Sequence, residues 1–213
     1  MVKENFHSDG WLLINKPQGI ESFGVIRKLK FRYSFKKIGF AGTLDPLASG
    51  LLLVGINKAT KKIPNIHQEK KSYEVEIRFG ASTNTLDSEG RFFKMESSSH
   101  NKNERVSHLK KFIGTYQQKI PDFSAHKLNG KNFYELARNN KAIEDRYKKV
   151  SVQSLKVLSS NNSKMRVELN CHSGFYVRAF AEEFANSLGA VSYTHLRAHE
   201  TRSNLVCRLL LEK

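Results

Sequence analysis

Residues 71 to 79, KSYEVEIRF, set Tyr73, Val75, Ile77 and Phe79 on one side of an extended chain and Ser72, Glu74, Glu76 and Arg78 on the other. A sustained period of two fits a strand with one buried face and nothing helical. The pattern returns late in the chain. There Met165, Val167, Leu169 and Cys171 alternate with Lys164, Arg166, Glu168, Asn170 and His172. Cys171 thereby reads as a core residue, not a reactive thiol. After Ser173-Gly174 the period changes to that of a helix, carried by Val177, Phe180, Ala181, Phe184 and Leu188. Half-buried strands mixed irregularly with amphipathic helices predict an α+β chain with a mixed, largely antiparallel sheet flanked by helices.

The remaining elements are shorter. Trp11-Leu12-Leu13-Ile14 predicts a buried strand, and residues 51 to 56 another. Ser22 is placed as the N-cap of a helix that turns Phe23, Ile26 and Leu29 inward and Arg27, Lys28 and Lys30 outward. That basic cluster runs on through Arg32, Lys36 and Lys37. Residues 96 to 105 read as a polar surface loop, with Ser107 capping a helix that carries Leu109, Phe112 and Ile113. A helix is expected around Phe133, Tyr134, Leu136 and Ala137. Before and within it, Phe123, His126, Lys127, Lys131 and Arg138 interleave aromatic and basic groups, a mixture that suits RNA.

A formal net charge of +16 over 213 residues points to a polyanionic partner, most simply nucleic acid. No run approaches the roughly 20 apolar residues of a membrane span, and MVKENFHSDG lacks the apolar stretch of a secretory signal. Two cysteines are too few for a disulfide scaffold and lack metal-ligand spacing. A cytoplasmic protein is the expectation.

The chemistry-bearing stretch is GFAGTLDPLASGLL, residues 39 to 52. Asp45 is its one acid, held between glycines and Pro46 and leading into Leu51-Leu52-Leu53-Val54. A positioned reactive carboxylate fits this loop, and so does an ordinary Asp-Pro turn. Tyr73 shares the apolar side of its strand, as a core tyrosine commonly does. Arg178 falls in the first turn of its helix, where the dipole favours anions. It is either a solvent-facing arginine or one that binds an anion or a carboxylate.

Taken together, LLINKPQGIES, GFAGTLDPLASGLLLVGINKATK, KSYEVEIRFGASTNTLDSEG, IPDFSAHKLNGKNFYELAR and CHSGFYVRAFAEEFANSLG resemble the TruB family of tRNA pseudouridine synthases, over residues 10 to 189. The resemblance implies the pseudouridine synthase fold and isomerisation of uridine to pseudouridine at position 55 in the T-loop of tRNA. It implies no cofactor, no metal and no obligate protein partner beyond the tRNA T-arm. Asp45 matches the family's catalytic aspartate, Tyr73 the tyrosine that stacks on the target base, and Arg178 the arginine that pairs with the catalytic carboxylate. Lys16, Phe40, Lys71, Lys127 and Tyr176 are the expected RNA contacts. Phe40 departs from the pattern: many relatives carry a histidine there that inserts into the RNA loop, and a phenyl ring keeps the stacking surface but loses the hydrogen bonds. The reaction breaks the bond from ribose C1′ to uracil N1 and joins C1′ to C5. A carboxylate suits attack on C1′, as in retaining glycosidases, or removal of the C2′ proton.

Residues 191 to 213, VSYTHLRAHETRSNLVCRLLLEK, stand outside the resemblance. Back-translated, Val191 to Thr201 fits a transposon-end sequencing adapter, and Leu205 to Lys213 a flow-cell adapter running into poly-A. The expectation is a catalytic domain over residues 1 to 190, lacking its C-terminal end and a PUA domain, followed by an adapter-derived tail. The tail carries four cations and two acids, so +14 of the +16 remains without it. Loss of a final strand would expose a sheet edge and open the pocket wall, which predicts poor solubility or weak activity for the chain as written.

Overall fold

The structure, a computed structural model, describes residues 4–67, 70–95, 100–128, 130–139, 141 and 143–197. Two compact units divide the described chain after Tyr73. The first contains β1 (Glu4–Asn5), β2 (Gly10–Lys16), α1 (Ser22–Arg32), β3 (Tyr33–Ser34), β4 (Ile38–Ala41), β5 (Gly50–Ile56), a 3-10 turn and α2 (Ile63–His67). Strand β6 (Lys71–Phe79) carries Tyr73 at the end of the first unit and continues into the second. The second unit adds β7 (Ala81–Thr83), β8 (Phe92–Met95), α3 (Lys102–Lys110), β9 (Gly114–Lys119), β10 (Lys127–Leu128), β11 (Lys131–Asn132), α4 (Phe133–Arg138), β12 (Tyr147–Ser160), β13 (Lys164–Cys171), α5 (Val177–Ser187) and β14 (Ser192–Arg197).

In the first unit β5 lies between β2 and β4, antiparallel to both. Its central position explains why Leu52-Leu53-Val54 is continuous and not alternating: both faces are covered, and these residues are at most 4% exposed. The expected buried strand at Trp11–Ile14 is instead an edge strand, with Leu13 40% exposed. Helix α1 forms where the spacing predicts, but Ser22 is its first residue and Glu21 its N-cap. The inward stripe is Ser22, Val25 and Ile26, which turns Phe23 out to solvent. Arg27, Lys28 and Lys30 are exposed, as the spacing requires.

The second unit is built on a five-stranded sheet in the order β14-β6-β13-β12-β9. Both alternating stretches behave as expected. Val75, Ile77, Met165, Val167 and Leu169 are fully buried, and Cys171 nearly so. Over this face α5 lays Phe180 and Phe184, which meet Phe112 edge-on at 5.5 and 6.1 Å and Phe79 at 6.0 Å from Phe184. The helix around Leu109 starts earlier than expected. Asn101 caps it, accepting from the Glu104 N–H while the Glu104 carboxylate accepts from the Asn101 N–H. Residues 102–105 are therefore helix, not loop, and Ser107 sits inside it.

The sheet edge expected to be bare is occupied. Ser192–Arg197 form β14 beside β6, Gly80 N–H donates to the Val191 carbonyl at 3.0 Å, and Thr194 is fully buried. Residues 198–213 lie outside the described residues.

Glu183 on α5 makes this unit sensitive to pH. Its Oε1 accepts from the Lys119 N–H at 3.0 Å. Burial, helped by the adjacent Glu182 carboxyl and only partly opposed by that hydrogen bond, pushes its pKa up to about 7 from 4.5. The folded state thus holds a proton that the unfolded chain releases, so stability is fully present below pH 4.5 and falls as pH rises through 7. Urea midpoints measured from pH 4.5 to 8 should decline across that window, and Glu183→Gln should flatten the decline.

Candidate active site

Asp45 is half-buried on the loop between β4 and β5, and the loop is pinned on both sides of it. On one side the buried Ser22 hydroxyl accepts from the Leu44 N–H and donates to the Leu44 carbonyl, both at 2.9 Å. On the other, the Pro46 carbonyl accepts from the Gly19 N–H at 2.9 Å and from Lys16 Nζ at 3.1 Å. Ala48 N–H closes a turn onto the Asp45 carbonyl at 3.0 Å. Asp-Pro is turn chemistry here, and the turn is tied to α1 and to the loop after β2, so the backbone that carries the carboxylate is fixed on both sides of it.

Lys16 is fully buried, and its ammonium also donates to the carbonyls of Pro17 and Ile20, at 3.0 and 2.8 Å. It staples the 17–20 loop to the Asp45 loop, a different task from the RNA contact expected of it. Lys71 is 9% exposed, and its ammonium packs on Gly42, whose φ of +81° and lack of a Cβ leave the space for it. Phe40 is half-buried on β4, paired in register with Val54. Tyr73 is half-buried on β6.

Ser22 gives the first test of this loop. Ser22→Ala leaves the buried Leu44 N–H without its partner, at a cost of about 1–3 kcal/mol, and frees the segment that carries Asp45. Thermal unfolding should register the loss, and turnover should fall by more than the drop in folded fraction explains.

Arg178, Tyr176 and Lys127 belong to the second unit. Arg178 is 8% exposed and is no solvent-facing arginine. Its Nη1 donates to the Thr85 carbonyl at 2.7 Å and its Nη2 to the Phe123 carbonyl at 3.0 Å, and Nη1 lies 3.8 Å from Asp87 Oδ2. Asp87 is itself buried, its Oδ1 accepting from the Thr85 hydroxyl at 2.6 Å and the Glu89 N–H at 3.0 Å. Between them Leu86 adopts a left-handed φ of +64°, a strained conformation for leucine. Such a residue persists where its surroundings over-determine it, and here Arg178 grips the carbonyl before it and the carboxylate after it. The sequence reading missed Asp87. A signal was present: Thr85-Leu86-Asp87 repeats Thr43-Leu44-Asp45. Tyr176 is clamped through its main chain by Gln118, and Lys127 is exposed on the short β10–β11 hairpin. His126 meets Phe133 edge-on at 4.9 Å, and Phe133 is fully buried, so that phenyl ring is core.

Among the described residues no cluster of three or more histidines, cysteines or acids could hold a metal ion, and no helix is long and apolar enough to cross a membrane.

Known proteins match this chain at both levels. The model of the TruB family pseudouridylate synthase N-terminal domain covers residues 30–177. The tRNA pseudouridine synthase B of Clostridium kluyveri is 34% identical over 206 residues, 96% of this chain and 71% of that protein. The enzyme of the same name from Aquifex aeolicus is 38% identical over 187 residues, covering 87% of this chain and 65% of that protein. A chain in a Cbf5–Nop10–Gar1 complex superposes with a TM-score of 0.68 over 89% of this chain and 47% of its own length, at 22% identity, and shares the fold. The family model takes in the Asp45 loop and β6 and ends at Val177, where α5 begins, so that Lys16 and Arg178 fall outside it, and by this match and the identity to its relatives the chain belongs to the TruB family of pseudouridylate synthases.

Proposed function

We propose that this protein is a cytoplasmic isomerase that converts uridine to pseudouridine at position 55 in the T-loop of tRNA. The observation that carries the reading is the Asp45 loop: a half-buried carboxylate fixed through Ser22, Gly19 and Lys16 in a chain whose relatives are named tRNA pseudouridine synthase B. Asp45 acts at the ribose, either by attack on C1′ or by removing the C2′ proton. The C1′–N1 bond breaks, the uracil turns, C1′ joins C5, and the C5 proton leaves while N1 gains one. No electrons are exchanged with a carrier, so no cofactor takes part. Tyr73 supplies a flat wall against the turning base. Extracting the uridine from its stack costs a few kcal/mol, which contacts from Phe40, Lys71, Lys127, Tyr176 and the exposed cations of α1 offset. Arg178 pairs with the catalytic carboxylate in this reading. Residues 191–213 are read as adapter-derived and residues 1–190 as the catalytic domain.

Unmodified tRNA transcript tritiated at uracil C5 should release tritium on incubation with the protein, and mapping should place the product at position 55. Release from a transcript whose T-loop uridine is replaced would redirect the assignment to another RNA site. Sequencing the genomic locus past the codon for Gly189 tests the tail.

A further inference from the structure

Strand β12 alternates where it begins. Tyr147 and Lys149 are exposed, whereas Lys148, Val150 and Val152 face the other side, with the two valines buried. Antiparallel pairing with β9 sets Lys148 opposite Gln118. Gln118 is fully buried, and its side-chain amide clamps Tyr176 from both ends: Oε1 accepts from the Tyr176 N–H at 2.9 Å and Nε2 donates to the Tyr176 carbonyl at 3.0 Å. The register thus brings Lys148 to the turn that enters α5. Its ammonium lies 5.1 Å from the centre of the Tyr176 ring. Gly174 makes the fit possible: its φ is +83°, and a Cβ there would stand 2.6 Å from Lys148 Nζ.

This ammonium is half-buried, yet among the described residues it has no hydrogen bond and no ion pair. Burial pushes its pKa down, and no carboxylate among the described residues opposes the shift. A cation drawn out of water is ordinarily matched by an anion, and the face of one tyrosine is a partial substitute. The missing partner is an anion. Tyr176 beside it offers a ring for a base, and Arg178 follows two residues on. Phosphate next to an aromatic ring is the signature of a nucleotide in single-stranded nucleic acid.

We propose that Lys148, set between Gly174 and the Tyr176 ring, binds a backbone phosphate of the RNA strand that enters the active site. The assignment rests on the tRNA-modifying reading above and adds a contact to it.

The test measures binding of a fluorescent tRNA transcript to the full chain across a salt series, for wild type, Lys148→Met and Lys148→Arg. Loss of one phosphate contact should lower the slope of log affinity against log salt by about 0.7, and arginine should retain the slope. A transcript series with single neutral methylphosphonate linkages across the T-loop should contain one linkage that weakens wild type but not Lys148→Met. Lys148→Gln serves in place of methionine if that variant fails to fold. An unchanged slope, or binding weakened equally at every salt, would mean that Lys148 only supports Tyr176 and would overturn the proposal. So would a methylphosphonate series with no such linkage. Protection of Lys148 from acylation by inorganic phosphate but not by tRNA would assign the site to free phosphate instead. Failure of the enzymatic reading shows separately, as absent tritium release by wild type whatever the binding slopes.

Discussion

Asp45→Asn should reduce pseudouridine formation by at least about 10³-fold, the scale of removing a group that touches the reacting atoms, while leaving tRNA affinity within about threefold of wild type. The two outcomes separate because of how the loop is held. Its main-chain ties through Ser22, Gly19, Lys16 and Ala48 do not involve the Asp45 carboxylate. Asparagine has the same shape, so the loop keeps its course while the charge and nucleophilicity are lost. Tritium release under single-turnover conditions gives the rate, and fluorescence anisotropy gives the affinity. Turnover near the wild-type rate would remove Asp45 from the mechanism. A wild-type protein that binds and anneals tRNA without releasing tritium would make the chain an RNA chaperone on an enzyme's scaffold.

Arg178→Ala should destabilise the second unit by about 3–5 kcal/mol, the cost of stranding one partner of a buried ion pair. That loss corresponds to a fall in Tm on the order of 10 °C for a chain of this size. Three groups lose their partner together: the Asp87 carboxylate and the carbonyls of Thr85 and Phe123. Lysine should rescue little, since a single ammonium cannot reproduce the guanidinium fork. Asp87→Asn in the same chain should recover part of the loss by removing the stranded charge, so a double-mutant cycle should show coupling between the two sites. A variant as stable as wild type would mean that Arg178 is not held as described. If Arg178 acts as proposed, on the catalytic carboxylate, turnover should fail in Arg178→Ala even at temperatures where the protein remains folded.

These two residues also show what a linear chain reveals and what it hides. Val75, Ile77, Met165, Val167, Leu169, Phe180 and Phe184 were legible because burial of one face writes a period of two or 3.6 into neighbouring residues. The Asp45 loop was legible as a turn, and its role came only from the match of several distant stretches to one family. Asp87 stayed hidden because its partner Arg178 lies on a helix far along the chain, and the repeat of Thr-Leu-Asp does not encode that closure. Lys16 was read as an RNA contact for the same reason: the carbonyl of Pro46 that it meets comes from another loop. Phe23 was expected inside because its spacing to Ile26 fits, but Ser22 anchors to Leu44 and rotates the helix so that the phenyl ring faces water. Asn101 and Glu104 carried a readable capping signature that the run of serines and asparagines around them obscured.

The buried ammonium of Lys16 has a practical use. To react with an acylating reagent, it must lose its proton and leave three carbonyls, so it cannot be labelled while the Asp45 loop is closed. Surface lysines such as Lys28 and Lys30 have no such restriction. The labelling rate of Lys16 relative to theirs therefore measures how often the Asp45 loop opens, in the native protein and without any probe introduced into it. Bound tRNA that tightens the loop should slow that rate.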